Sequence, residues 1–193
     1  MGMSVDFAAQ RAIMVESQVR VADVTDYAIQ DAMRIVARET LLAADKAYLA
    51  YADVEVEYAP GRWMLKGRDI GKLLQALKPR AGERALAIAA PYAAAVLEAM
   101  GLTVSRLDEG DLSAPSGGPY DLVICEGAVS VAPAGWCEVL SAEGGRLGAI
   151  ERSGPVGRAE LWLRTPHGVG RRDLFDCAPP VMAGFEAKPA FAF

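Results

Sequence analysis

The chain is poor in the residues that most often carry catalysis or hold metals. Its 193 residues include one histidine and three cysteines. His167 lies in TPHGVGRR, whose proline and glycines mark a turn, so it reads as a solvated loop residue. A lone imidazole cannot supply a multi-histidine metal site. Cys125, Cys137 and Cys177 are widely spaced, odd in number and form no CxxC pair. That argues against a disulfide framework and a zinc knuckle, predicts buried free thiols and leaves no metal site. Positive charge is also in deficit: 20 Lys and Arg against 25 Asp and Glu give a net charge of −5. Neither nucleic acid nor an anionic membrane is expected as a partner of such a surface. There is no long hydrophobic run, since the uncharged stretch 85–97 is broken by Pro91 and is too short to cross a bilayer, and Asp6 precedes the first apolar block. These absences predict a soluble, cytoplasmic protein.

What is present is apolar surface. A hydrophobic content of 52% over this length can build one sizeable core. A single domain over 1–193 is predicted, with a helical and arm region over 1–80 and a sheet over 81–193. In the first forty residues Phe7, Ile13, Met14 and Val19, then Ala28, Met33, Ile35 and Val36, recur at helical spacing. Two helices follow, with Thr25 and Asp26 as capping candidates before the second. DVEVEYA alternates and predicts a short strand or extended arm that turns at Pro60-Gly61. GRDIGKLLQALKPRAGE resumes helical spacing through Ile70, Leu73, Leu74 and Leu77, and Pro79 stops it. From Arg84 the pattern becomes strand and helix in alternation. RALAIA, TVSRL, YDLVIC and GRLGAI are predicted strands; PYAAAVLEAM and APAGWCEVL are predicted helices between them. Such runs imply a parallel sheet covered on both faces. AELWLRT, DLFDC and KPAFAF read as strands without intervening helices, so the sheet should finish antiparallel.

In that order the segments resemble the protein-L-isoaspartate O-methyltransferase family. RAIMVESQVRVADVTDYAIQDAMRIVARETL is similar to the family's opening pattern at Arg11, Met14, Val15, Gln18, Val24, Asp26, Ala32, Met33, Arg38 and Glu39. Tyr48 and Asp53 fall near its next landmark. YDLVICEGAVSVAP with EGGRLGAIE, and LFDCAPPVMAGFEAKPAFAF, resemble its later strands and closing segment. The resemblance implies an α/β fold with a Rossmann-like methyltransferase sheet, mostly parallel with antiparallel C-terminal strands and preceded by N-terminal helices. It also implies S-adenosylmethionine as cofactor and repair of damaged aspartyl residues by carboxyl methylation.

Three departures bear on that activity. The family's first strand ends in an acid and a glycine-rich loop, ExGxGxGY. Here Ala87 stands at the acid, Ala89 at the first glycine and Pro91 in place of the following Gly-Ser-Gly, before Tyr92 resumes the match. Glycine lets backbone approach a ligand and adopt positive φ, whereas proline removes an N–H donor. Losing one charged hydrogen-bond partner costs about 1.5–3 kcal/mol, or roughly ten- to a hundred-fold in affinity. Second, only residues 108–119, DEGDLSAPSGGP, join TVSRL to YDLVIC. They reach about 40 Å when extended, enough for a loop but not for a helix and a third strand. The sheet is thus predicted to be shortened by loss of its third strand, leaving TVSRL as an edge that can pair with another chain. Third, no Ser or Thr lies between Tyr58 and Arg84, where the family places a hydroxyl near its substrate.

The candidate cofactor-site positions are therefore Ala87, Ala89, Pro91, Tyr92, Asp108 and Glu126. Asp108, with Glu109 and Asp111, is either a relic of the ribose and adenine site or a solvated turn. Glu126 is either functional, at the carboxyl end of its strand, or a capping or exposed acid. Arg62, Lys66 and Arg68 read as surface or as a site for an acidic partner, Arg171-Arg172 as a weak anion site, and Trp63, Trp136 and Trp162 as core. The expected function is a degenerate relative that binds S-adenosylmethionine poorly or not at all. The alternatives are an active protein carboxyl methyltransferase with an altered pocket, a non-catalytic dimerisation or partner-binding module, and a pocket holding another small ligand.

Overall fold

The computed structural model describes residues 6–187, so the strand expected at KPAFAF lies outside the described residues. Helix α1, Phe7–Met14, is capped by Asp6, whose carboxylate accepts the Ala9 N–H at 3.0 Å. It runs on through a π turn at Val15–Val19 and a 3-10 turn at Arg20–Ala22, ending at Asp23 in a left-handed conformation. Helix α2, Tyr27–Ile35, starts at Asp26, which accepts from Ala28 and Ile29 N–H groups as the sequence predicts. The alternating stretch forms a hairpin of β1, Val56–Ala59, and β2, Arg62–Met64, turning at Gly61 with φ +65°. Helix α3, Gly67–Leu77, buries Ile70, Leu73, Leu74 and Leu77 completely and ends at a left-handed Lys78 just before Pro79.

The main sheet has six strands in the order β4-β3-β5-β6-β7-β8. Strands β3 (Arg84–Ile88), β4 (Thr103–Leu107), β5 (Leu122–Val129) and β6 (Arg146–Glu151) are parallel to one another. Strands β7 (Gly157–Thr165) and β8 (Gly168–Cys177) complete it antiparallel. Every residue of β5 is buried, as expected of a central strand covered on both faces. One face packs on α3, on α4 (Pro91–Ala99) and on the N-terminal helices. The other packs on Leu112, Tyr120, Trp136, Leu140 and Met182.

Residues 108–119 contain no helix or strand, so among the described residues β4 is an edge. Leu112 in this loop is buried, and Trp136 donates its indole N–H to the Leu112 carbonyl at 2.6 Å, tying the loop to the sheet. The helix expected over APAGWCEVL is much shorter than predicted: α5 covers only Ala134–Glu138. Its end is set by the sheet, because the Val139 carbonyl accepts the Tyr120 N–H at 2.9 Å and Ser141 donates to the Tyr120 carbonyl at 2.7 Å. Among the described residues no helix is long and apolar enough to cross a membrane.

Candidate functional site at the end of the first parallel strand

Ligand sites in open α/β sheets form beyond the carboxyl ends of the strands, where the connections diverge to opposite faces. Here that point lies between β3 and β5. The chain leaves β3 through Ala89, with φ +44°, and Ala90, and enters α4 at Pro91. An alanine at positive φ is uncommon and is held by the Ala89 N–H bond to the Leu107 carbonyl at 2.9 Å. The turn thus keeps a backbone conformation suited to glycine while carrying a methyl group. Pro91 occupies the first helical position, where proline costs little because its N–H would be unpaired anyway.

The next amides of α4 have a partner inside the chain. The Glu126 carboxylate accepts the Tyr92 and Ala93 N–H groups through Oε2, each at 3.1 Å, and the Leu65 N–H through Oε1 at 3.2 Å. Glu126 is fully buried, which overturns an exposed loop acid and leaves a carboxylate that satisfies a helix N-terminus across the fold. Two features of β5 aim it there. The pairing with β6 shifts register between Ile124 and Ala128, and Gly127 adopts φ +141°. A β-carbon on Gly127 would stand 2.7 Å from Met182 Cγ, so Met182 closes the strand at this point.

Burial pushes the Glu126 carboxyl up to about 7, against the opposing pull of the Arg38 charge and the three backbone donors. Arg38 is also fully buried. Its guanidinium lies 4.7 Å from the Tyr92 ring centroid and donates to the Leu65 carbonyl, while among the described residues its Nε and Nη1 have no partner, nor does the Tyr92 hydroxyl. Burial likewise raises the Tyr92 and Tyr58 hydroxyls and the Cys125 thiol, with the Glu126 charge adding to each.

The structure therefore brings Ala89, Pro91, Tyr92 and Glu126 together at one turn. Ala87 lies inside β3, buried on the helix-covered face. Asp108 stands exposed beyond β4, its carboxyl raised by partial desolvation. Asp111 is a turn residue that accepts the Ser113 N–H and hydroxyl at 2.9 and 2.6 Å. Ala89 belongs to a buried apolar cluster with Leu112, Trp136 and Met182, against which Leu107 and Phe185 pack. Of the other candidates, Arg62 donates to the Ala183 carbonyl, Lys66 pairs with Glu55 and Arg68 with Asp69. Arg171 pairs with Glu151 and Glu160. Trp136 and Trp162 are buried and Trp63 is half-buried. Arg38 and Leu65 escape a pattern reading of the site: Leu65 acts through its backbone, and only the order of the N-terminal segment singles out Arg38. Met182 escapes it as well.

A parallel sheet that turns from its first strand into a helix N-terminus, with antiparallel strands closing the far edge, defines a Rossmann-like methyltransferase fold. Two solved structures share it: a protein-L-isoaspartate O-methyltransferase, with TM-score 0.71 at 15% identity over 93% of this chain and 67% of that one, and a Plasmodium falciparum protein. The latter, assigned to the same activity and complexed with S-adenosyl-L-homocysteine, has TM-score 0.72 at 14% identity over 89% of this chain and 97% of that one. No family model matches the sequence. Among curated proteins, the protein-L-isoaspartate O-methyltransferase of Methylorubrum populi is 30% identical over 93% of this chain and 98% of its own length. That of Methylorubrum extorquens is 31% identical over 90% and 87%. The chain belongs to the protein-L-isoaspartate O-methyltransferase family.

Proposed function

We propose that this chain is a non-catalytic member of its family, one that does not hold S-adenosylmethionine in the usual pose and serves as a scaffold that pairs with a second copy of itself. The observation that carries the reading is the β3–α4 turn. Its base is Ala89 and Pro91 in place of bare backbone, and its first free amides, Tyr92 and Ala93, already donate to Glu126. A cofactor lying over this turn would meet a buried carboxylate that already holds its amides and an Ala89 packed in the apolar cluster of Leu112, Trp136 and Met182, and would find no acid at Ala87. The residues present do not fit the cofactor, and no chemical step is assigned to it. The scaffold half of the reading rests on the loop at 108–119, which leaves β4 without an outer neighbour among the described residues.

Calorimetric titration of the purified chain with S-adenosylmethionine and S-adenosylhomocysteine tests the first half. A ligand bound to the folded state also raises the unfolding midpoint. Neither heat nor a shift is expected at millimolar ligand. Saturable binding of either compound would restore the alternative, an active carboxyl methyltransferase with an altered pocket.

A further inference from the structure

We propose that the N-terminus of α4 together with the Leu65 amide is a carboxylate-binding site, and that the chain fills it with Glu126 as a built-in ligand. This deepens the reading above by naming the chemistry that the turn still recognises. Three backbone donors from two separate elements converge on one carboxylate: Tyr92 and Ala93 from α4, and Leu65 from the segment between β2 and α3. The helix contributes its positive end, and proline at its first position leaves the next two amides as the leading donors. A second and independent feature is Arg38. Its fully buried guanidinium stands over the Tyr92 ring, donates to the carbonyl of the same residue, Leu65, and has Nε and Nη1 unpartnered among the described residues. A buried cation without an ion-pair partner among the described residues, set beside converging amides, offsets part of the cost of burying a carboxylate there.

Glu126 is thus a tethered acetate. Beyond its β-carbon the side chain is one methylene and one carboxylate, the heavy-atom skeleton of acetate. Its replacement by alanine leaves a cavity of that shape, lined by three N–H groups whose acceptor has gone. Free acetate or formate should enter it, and larger carboxylates such as benzoate should not. The charged and titratable groups that face this position are Arg38, Tyr92 from α4, Tyr58 from β1 and Cys125 from β5, with Arg62 of β2 acting on the last two. Asp108 also acts on Tyr58, but among the described residues no carboxylate other than Glu126 accepts from the Leu65, Tyr92 or Ala93 amides.

The test compares thermal unfolding of wild type and Glu126→Ala in sodium acetate, formate, benzoate and chloride at equal ionic strength. With about 100 mM acetate the midpoint of the variant should rise by roughly 3 °C over chloride, saturably, while wild type does not respond and benzoate has no effect. An equal acetate shift in both proteins, or none in a folded variant, overturns the proposal. Should Glu126→Ala fail to fold, wild type supplies the measurement: the amide resonances of Leu65, Tyr92 and Ala93 should move together through one midpoint as pH is lowered. Independent or absent movement overturns it equally. The two readings separate cleanly. Acetate rescue in a protein that binds S-adenosylmethionine would sink the proposed function alone, and absence of rescue in one that ignores the cofactor would sink this inference alone.

Discussion

Glu126 sets the energetics of the site. Its neighbours stabilise the charged form, yet desolvation dominates and its carboxyl titrates near 7, against an ordinary 4.5. An acid whose folded value lies above its unfolded one binds more protons in the native state across the interval between them. Stability from this group is therefore fully present below pH 4.5 and is lost as pH rises to 7. Asp69, Asp108 and Glu160 are raised by burial as well and work in the same direction. The contribution of Glu126 is isolated by comparison with Glu126→Gln. Glutamine keeps one acceptor for the α4 amides but turns an NH2 group toward Leu65, so the variant should be less stable by about 1–3 kcal/mol at pH 5. The difference should then move in favour of the variant by on the order of 3 kcal/mol between pH 5 and pH 8, closing or reversing the gap, read by urea unfolding at each pH. A gap that stays constant with pH would mean that Glu126 is charged throughout.

At the scale of elements, the β3–α4 turn tests whether the glycine-shaped backbone has been retained at a cost. Ala89 at φ +44° carries a left-handed penalty of roughly 1 kcal/mol that glycine would not, while its buried methyl group gains a similar amount. Ala89→Gly should therefore leave the urea midpoint almost unchanged. Ala87→Gly, in the strand itself and without that relief, should lose about 1–2 kcal/mol. Equal losses at both positions would show that Ala89 is unstrained. The elements themselves were largely legible. Alternation marked β1, helical spacing marked α3 up to Pro79, and Asp26 announced α2. The missing third strand followed from the length of 108–119. The extent of α5 was not legible, because it ends where Val139 must meet Tyr120, a contact between distant residues that local pattern does not carry. The site was half legible. Ala89 and Pro91 stand out by what they replace, and Glu126 by its place after YDLVIC, at the carboxyl end of a strand where sheet ligands bind. Arg38 and Leu65 come from remote segments, and one of them contributes only a peptide group.

At the scale of the whole molecule, the six-stranded sheet ends, among the described residues, in two edges of different character. Along β8 the charges Arg171, Arg172, Asp173 and Asp176 discourage pairing, in the manner of protected edges. Along β4, TVSRL carries one charge, Arg106, which is already paired with Glu98 on α4. Thr103 donates to the Glu83 carbonyl and Leu107 accepts from Ala89, so in a strand the backbone groups of residues 103, 105 and 107 face β3. Those of Val104 and Arg106 therefore face outward, and no described strand lies beside them. A two-fold axis through Ser105 would set Val104 of one chain opposite Arg106 of the other, closing two hydrogen-bonded pairs with no offset between the strands. This self-complementary register favours a second copy as the occupant of the edge. Val104→Pro removes an outward N–H without touching the ladder to β3, a placement proline tolerates on an edge. Sedimentation equilibrium should give twice the chain mass for wild type at tens of micromolar, on the order expected for a small interface, and the chain mass for Val104→Pro with its fold intact by circular dichroism. A wild-type chain that stays monomeric as its concentration rises would leave β4 an unused edge, and a variant that still dimerises would place the contact elsewhere on the molecule.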